Sequence, residues 1–190
     1  MMRNRIAWVV LALLPLLHGC VAAVGGAVAG GAALAVDRRT VGTVTEDQGI
    51  ELKVDERISQ KIPADKLHLN VTSFNRLVLL TGEVPDEAAK EEAGRIAAGV
   101  ETVKGVVNEL VVGAPTSLGT RSNDSYITGQ VKTRFIDANK FNALHVKVVT
   151  ENSVVFLMGL VKKQEAEDAT RIARTTAGVK RVVRVFEYLD

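Results

Sequence analysis

Cys20 is the only cysteine of the 190 residues, and its surroundings point to one covalent chemistry. Arg3 and Arg5 precede an apolar run from Ile6 to Leu17, and His18 and Gly19 lead into the cysteine. A basic start, a short apolar core and a small residue before a cleavage point make a secretory signal. A cysteine directly after that point is where bacterial lipoproteins receive acyl chains. Several chains on one residue anchor stably, because each buried methylene contributes about 0.8 kcal/mol. The expected organisation is a signal peptide over 1–19 and a mature chain that starts at an acylated Cys20. His18 departs from the small or hydroxyl residue usual at that position, so an uncleaved anchor is the alternative. Ile6–Leu17 spans 12 residues, short of the roughly 20 that cross a bilayer. Its extension to Val36 is Gly/Ala-rich and weakly apolar, and reads as a leader over 20–45. Val21, in place of the aspartate that marks inner-membrane retention, points to the outer membrane, lipid-anchored and facing the periplasm.

Other chemistry is sparse. With Cys20 acylated, no thiol remains for disulfides or metal binding. His68 and His145 enter the first strand of two repeated units, and that equal placement suggests a surface or edge role in each copy. Neither a catalytic constellation nor a metal site is expected. Gly25-Gly26 and Gly30-Gly31 lack the lysine of a phosphate loop. Asp86, Glu87, Glu91 and Glu92 read as the solvated, macrodipole-favoured start of a helix. Covalent acyl chains on Cys20 apart, no cofactor is expected, and the chain is read as non-enzymatic. Loss of Arg3 and Arg5 takes the formal net charge from +2 to zero, and aromatics are 4% of the chain. Neither suits a nucleic-acid partner, and no small-molecule substrate is expected.

The elements that would position a surface site come from a duplication. Leu69–Val84 (LNVTSFNRLVLLTGEV) and Val146–Val161 (VKVVTENSVVFLMGLV) align at an offset of 77 residues. Val71, Asn75, Val78, Leu80, Gly82 and Val84 meet Val148, Asn152, Val155, Leu157, Gly159 and Val161. Upstream, Ile50 and Val54 meet Ile127 and Val131, and further on Arg95-Ile96-Ala97 meets Arg171-Ile172-Ala173. Two copies are too few for a solenoid. Each unit reads helix, strand, strand, helix, strand. Ile50, Val54 and Ile58 make a helical stripe ended by Pro63. Asn75-Arg76 and Asn152-Ser153 read as hairpin turns. Asp86 reads as an N-cap for a helix to Ala98, and Asp124 or Ser125 as the cap of the second unit's first helix. Lys104–Val112 and Val179–Leu189 read as the closing strands. Gly82 and Gly159 suggest a bulge or a close approach of the following helix. The expected boundaries are 46–113 and 124–190 for the two domains, with a linker over 114–123. The linker is short enough for the domains to pack together.

The αββαβ unit, with Leu80, Gly82 and Val84 mirrored by Leu157, Gly159 and Val161, resembles the BON-domain family. The likeness covers about 140 of the 190 residues. Thr150–Val161 (TENSVVFLMGLV) and Ala177–Arg181 (AGVKR), behind a lipoprotein signal, resemble the two-BON outer-membrane lipoproteins linked to division and envelope integrity. The resemblance implies an α+β fold of two tandem αββαβ domains, each a small mixed three-stranded sheet packed against two helices. It also implies a non-enzymatic protein that binds phospholipid surfaces through its second BON domain.

The two units differ in charge. Residues 46–113 carry 8 Lys+Arg against 13 Asp+Glu, a formal −5, and residues 124–190 carry 11 against 8, a formal +3. Either an anionic surface attracts the second unit, or the units pack on each other by charge, or the difference is drift. Helical geometry adds detail. Ile127, Val131 and Phe135 make the core stripe of the second unit's first helix, which places Tyr126, Gly129, Thr133 and Ile136 opposite, flanked by Lys132. Lys140 would join them if the helix continues. Tyrosine and isoleucine among lysines suit the headgroup layer of a membrane. The equivalent positions of Tyr126, Lys132, Ile136 and Lys140 in unit one are Gly49, Asp55, Ser59 and Pro63. The expected phospholipid-binding residues are therefore Tyr126, Gly129, Lys132, Thr133, Ile136 and Lys140. The competing reading tucks Tyr126 against the linker or first domain and Ile136 beneath the loop at Phe141. The expected function is anionic-phospholipid binding in support of outer-membrane integrity. Its alternative is a non-enzymatic periplasmic adaptor that docks on an envelope-assembly or peptidoglycan-associated protein.

Overall fold

The apolar stripe Ile50, Val54 and Ile58 is buried along α1 (Val41–Ser59), whose N-terminus Thr40 caps by accepting from the Thr43 amide at 3.1 Å. The computed structural model describes residues 37–190, so the expected signal peptide, Cys20 and the expected leader up to residue 36 lie outside the described residues. Helix α1 starts inside the stretch expected as leader. It is followed by β1 (His68–Phe74), β2 (Leu77–Val84), α2 (Glu87–Ala98), β3 (Gly105–Asn108) and the short β4 (Val111–Val112). The second repeat supplies α3 (Leu118–Ala138), β5 (Lys147–Glu151), β6 (Val154–Val161), α4 (Lys163–Arg174) and β7 (Arg181–Tyr188).

The two sheets have the same topology: the first two strands are antiparallel and the last runs parallel to the middle one. The closing strand expected over Lys104–Val112 is broken. Leu110 turns into the core with 1% exposure, and β4 resumes pairing with Glu83 and Val84 of β2. Asp86 caps α2, its carboxylate accepting from the Ala89 amide at 2.8 Å. The expectation for Asp124 is corrected. Helix α3 starts at Leu118, capped by Ser117, because its first turns run through the stretch expected as linker.

Asp124 instead lies inside α3, buried, with its carboxylate accepting from the Asn152 and Ser153 amides at 2.8 Å each. Its repeat-equivalent, Asp47, accepts from the Asn75 and Arg76 amides at 2.8 and 2.7 Å, and from the Ser73 hydroxyl at 2.6 Å. These amides belong to the two-residue hairpin turns, where all four residues have positive φ (52° and 68°, 48° and 65°). Such turns match the strand twist but strain residues other than glycine. A buried carboxylate on the neighbouring helix holds the turn through charge-assisted hydrogen bonds.

The glycines also differ from expectation. A Cβ on Gly82 or Gly159 would collide with the carbonyl oxygen of His68 or His145, so the close approach comes from the start of β1 and from the turn just before β5, not from the following helix.

Arg38–Asp190 forms one compact unit with three apolar clusters. One lies between helices and sheet in each repeat. The third joins Phe74 and Leu79 of the first sheet to Phe156, Met158 and Val185 of the second. The sheets therefore pack face to face, with helices outside both. Residues Leu79, Leu80, Leu157 and Met158 show that β2 and β6 are buried on both faces. Glu51–Lys147 at 3.0 Å and Glu109–Arg181 at 3.2 Å bridge the repeats across the rim, so part of the charge difference is spent between the domains. Among the described residues no helix is long and apolar enough to cross a membrane.

Candidate functional site: the outer face of the second repeat

The stripe Ile127, Val131 and Phe135 binds α3 to its sheet, which turns the opposite side of the helix to solvent. Tyr126 is 64% and Ile136 67% exposed, so neither is covered by the linker, the first domain or the Phe141 loop. Phe141 packs edge-on against Phe135, with ring centroids 5.1 Å apart. Gly129, Lys132 and Thr133 are exposed on the same side. Lys140 is exposed too, but it does not continue the helix. Asn139 ends α3 in the left-handed region at φ 46°, and Lys140 lies in the turn beyond it.

Two hollows flank this face. Tyr126, Gly129, Gln130, Thr133, Arg134, Thr176 and Ala177 line a groove of about 560 Å³. The Gln130 amide donates to the Tyr126 hydroxyl at 2.7 Å and orients the ring without covering it. Arg134 was not singled out by the sequence. Its guanidinium donates to the Thr176 hydroxyl at 2.9 Å and the Thr175 hydroxyl at 3.1 Å, which fixes a cation at the edge of the groove. Its place eight residues after Tyr126 was the available signal. At the other end, Ile136, Lys140, Phe141 and Leu144 line a hollow of about 510 Å³, and Leu144 adds a second exposed aliphatic side chain (58%). The surface offers apolar groups in an arc with cations at its edges. That arrangement suits adsorption better than bond-breaking chemistry.

The histidines are less superficial than expected. His68 sits at the seam between the repeats, with Nδ1 2.9 Å from Glu83 Oε2 and 3.7 Å from Glu151 Oε1. Burial pushes the Glu151 carboxyl above the usual range, against the hydrogen bond from Asn70. His145 Nδ1 lies 3.9 Å from Glu165. Glu165 also forms a bidentate pair with Arg38, at 2.6 and 2.8 Å, and that hydrogen bonding holds its carboxyl at about 2.

Comparison with known proteins yields a match to the BON domain over residues 46–114 and again over 123–190. The Outer membrane lipoprotein DolP of Haemophilus influenzae is 44% identical over 178 residues, covering 92% of this chain and 91% of that one. The 21 kDa hemolysin of Actinobacillus pleuropneumoniae is 36% identical, covering 82% of this chain and 80% of its own. Osmotically-inducible protein Y of Escherichia coli is 32% identical, over 75% and 72%.

Proposed function

Because this chain belongs to the BON-domain family and stands among its outer-membrane lipoproteins, we propose that it reads anionic phospholipid through its second domain. In this reading acyl chains on Cys20 hold it to the outer membrane, facing the periplasm, and the protein supports the integrity of that membrane without turning over a substrate. The carrying observation is the exposure of Tyr126 and Ile136 on one helix face. Tyr126 would enter the headgroup layer with its hydroxyl outward, and Ile136 would insert shallowly. Gly129 and Thr133, being small, let the helix approach the surface closely. Lys132 and Lys140 would each add about 1 kcal/mol of attraction to an anionic surface. One such face binds weakly and in a salt-dependent way; the anchor makes it effective by raising local concentration.

The test is co-sedimentation of residues 38–190, the compact unit, with vesicles of phosphatidylglycerol mixed into phosphatidylcholine, against phosphatidylcholine alone. Binding to the anionic vesicles only, weakened by salt and lost in Tyr126→Glu, supports the reading. Equal failure on both vesicles removes it and leaves the adaptor reading, in which the same face docks on an envelope protein and ignores headgroup charge.

A further inference from the structure

We infer that His68, Glu83 and Glu151 form a binding site for a divalent transition-metal cation, best matched by zinc, that clasps the two repeats together. His68 Nδ1 stands 2.9 Å from Glu83 Oε2 and 3.7 Å from Glu151 Oε1, and one donor atom of each residue lies within 4.8 Å of the others. Donors at zinc-bond lengths in a tetrahedron are roughly 3.3 Å apart, so small side-chain rotations bring all three onto one ion. Their side chains are 12, 7 and 9% exposed. Imidazole plus carboxylates is a set that zinc takes readily, whereas calcium and magnesium favour oxygen alone.

The outer partners of such a site are present. The Thr116 amide and hydroxyl donate to Glu83 Oε2 at 3.0 and 3.3 Å, and the Asn70 amide donates to Glu151 Oε2 at 2.7 Å. That leaves Glu151 Oε1 facing the imidazole. Groups of this kind orient metal ligands and are part of the binding energy.

A separate observation also points to a missing ligand. Thr81 is 1% exposed, and its Oγ1 has no hydrogen-bond partner among the described residues. It precedes Glu83 by two residues, on the same face of β2, and is paired across the hairpin with Asn70. A buried hydroxyl left unpaired costs about 1–3 kcal/mol, so this strand face holds a polar group in want of a partner. The cleft of about 450 Å³ beside His68, Asn70 and Glu151, which Arg121 and Asp124 also line, has room for a water as a fourth ligand. The second repeat cannot build the same set, because Leu160 stands where the first has Glu83.

The experiment is calorimetric titration of zinc chloride into the full chain, held in detergent micelles and first stripped with a chelator. One equivalent should bind per chain at neutral pH, with affinity at least about tenfold lower near pH 5.5 as protons compete for the ligands. Saturation should raise the melting temperature by on the order of 5 °C. His68→Ala and Glu151→Gln should each abolish the saturable uptake, and His145→Ala should leave it intact. Glu151→Gln keeps the size of the side chain and an acceptor for Asn70, so its fold survives even where His68→Ala unfolds the seam. Uptake unchanged in Glu151→Gln, or no saturable uptake by the natural chain, overturns the site.

Discussion

The two repeats share a core and differ on the face of their first helix. Ile50, Val54 and Ile58 on α1 correspond to Ile127, Val131 and Phe135 on α3, and both triplets are buried. On the opposite side, α3 carries Tyr126, Lys132 and Ile136 where α1 carries Gly49, Asp55 and Ser59. A duplicated fold constrains the residues that fill it, because packing density leaves no slack inside. It leaves solvent-facing positions free to specialise. The comparison teaches that the exposed tyrosine and isoleucine beside a lysine belong to one copy, while both copies keep the same buried stripe.

The largest expected effect tests the feature the copies share. Asp47→Ala leaves the Asn75 and Arg76 amides and the Ser73 hydroxyl without this acceptor, and breaks the 2.9 Å pair between Asp47 and Arg39. Unfolding in urea should show a loss of about 3–4 kcal/mol. Asp124→Ala, which deprives only two amides among its hydrogen bonds described above, should cost about half of that. Equal costs would mean that the turn, not the added partners, carries the energy.

A smaller effect concerns the segment before α1. Arg38→Ala removes the bidentate pair to Glu165 and should cost about 1–2 kcal/mol at pH 7. Because the folded Glu165 carboxyl sits at about 2, below its ordinary 4.5, its contribution is fully present above the ordinary value. It is lost as pH falls towards 2. An acid titration of stability should therefore lose its steepest part in Arg38→Ala; an unchanged profile would sink this assignment.

The specialised face is tested by exchange. Ile136→Glu should weaken anionic-vesicle binding about tenfold, or roughly 1.4 kcal/mol, with the melting temperature unchanged because the side chain is exposed. The reverse graft, Gly49→Tyr with Asp55→Lys and Ser59→Ile, should give the first repeat measurable vesicle binding in an Ile136→Glu background. A silent graft would show that helix residues alone do not make the surface.

The smallest effect is at the seam. Burial raises the Glu151 carboxyl, so its ionised form opposes folding above its unfolded value. Glu151→Gln should therefore stabilise the metal-stripped protein by about 0.5–1 kcal/mol at neutral pH, read from urea midpoints. A loss of stability would mean that the ionised carboxylate is required by its neighbours.

Much of the fold was legible in particular residues. The stripe Ile127, Val131 and Phe135 announces a helix packed on one side, and Asn75-Arg76 with Asn152-Ser153 announces two tight hairpins. Tyr126 and Ile136 were legible as outward residues for the same reason, since a stripe defines its opposite. Asp124 was misread because a carboxylate near a helix start resembles a cap. Its true partners lie 28 and 29 residues away, and local spacing does not report them. Lys140 was expected to join the face if the helix continued, and nothing before it announced the left-handed Asn139 that ends the helix.

The sequence by itself determined the duplication, the order of elements in each copy and the inward face of each helix, because periodicity is a local property of the chain. Only the tertiary structure decided that the two sheets pack face to face through Phe74, Leu79, Phe156, Met158 and Val185. It alone brought Glu151 to His68 and Glu83. A strand buried on both faces shows a nearly continuous apolar run, and such a run does not say what covers its second face.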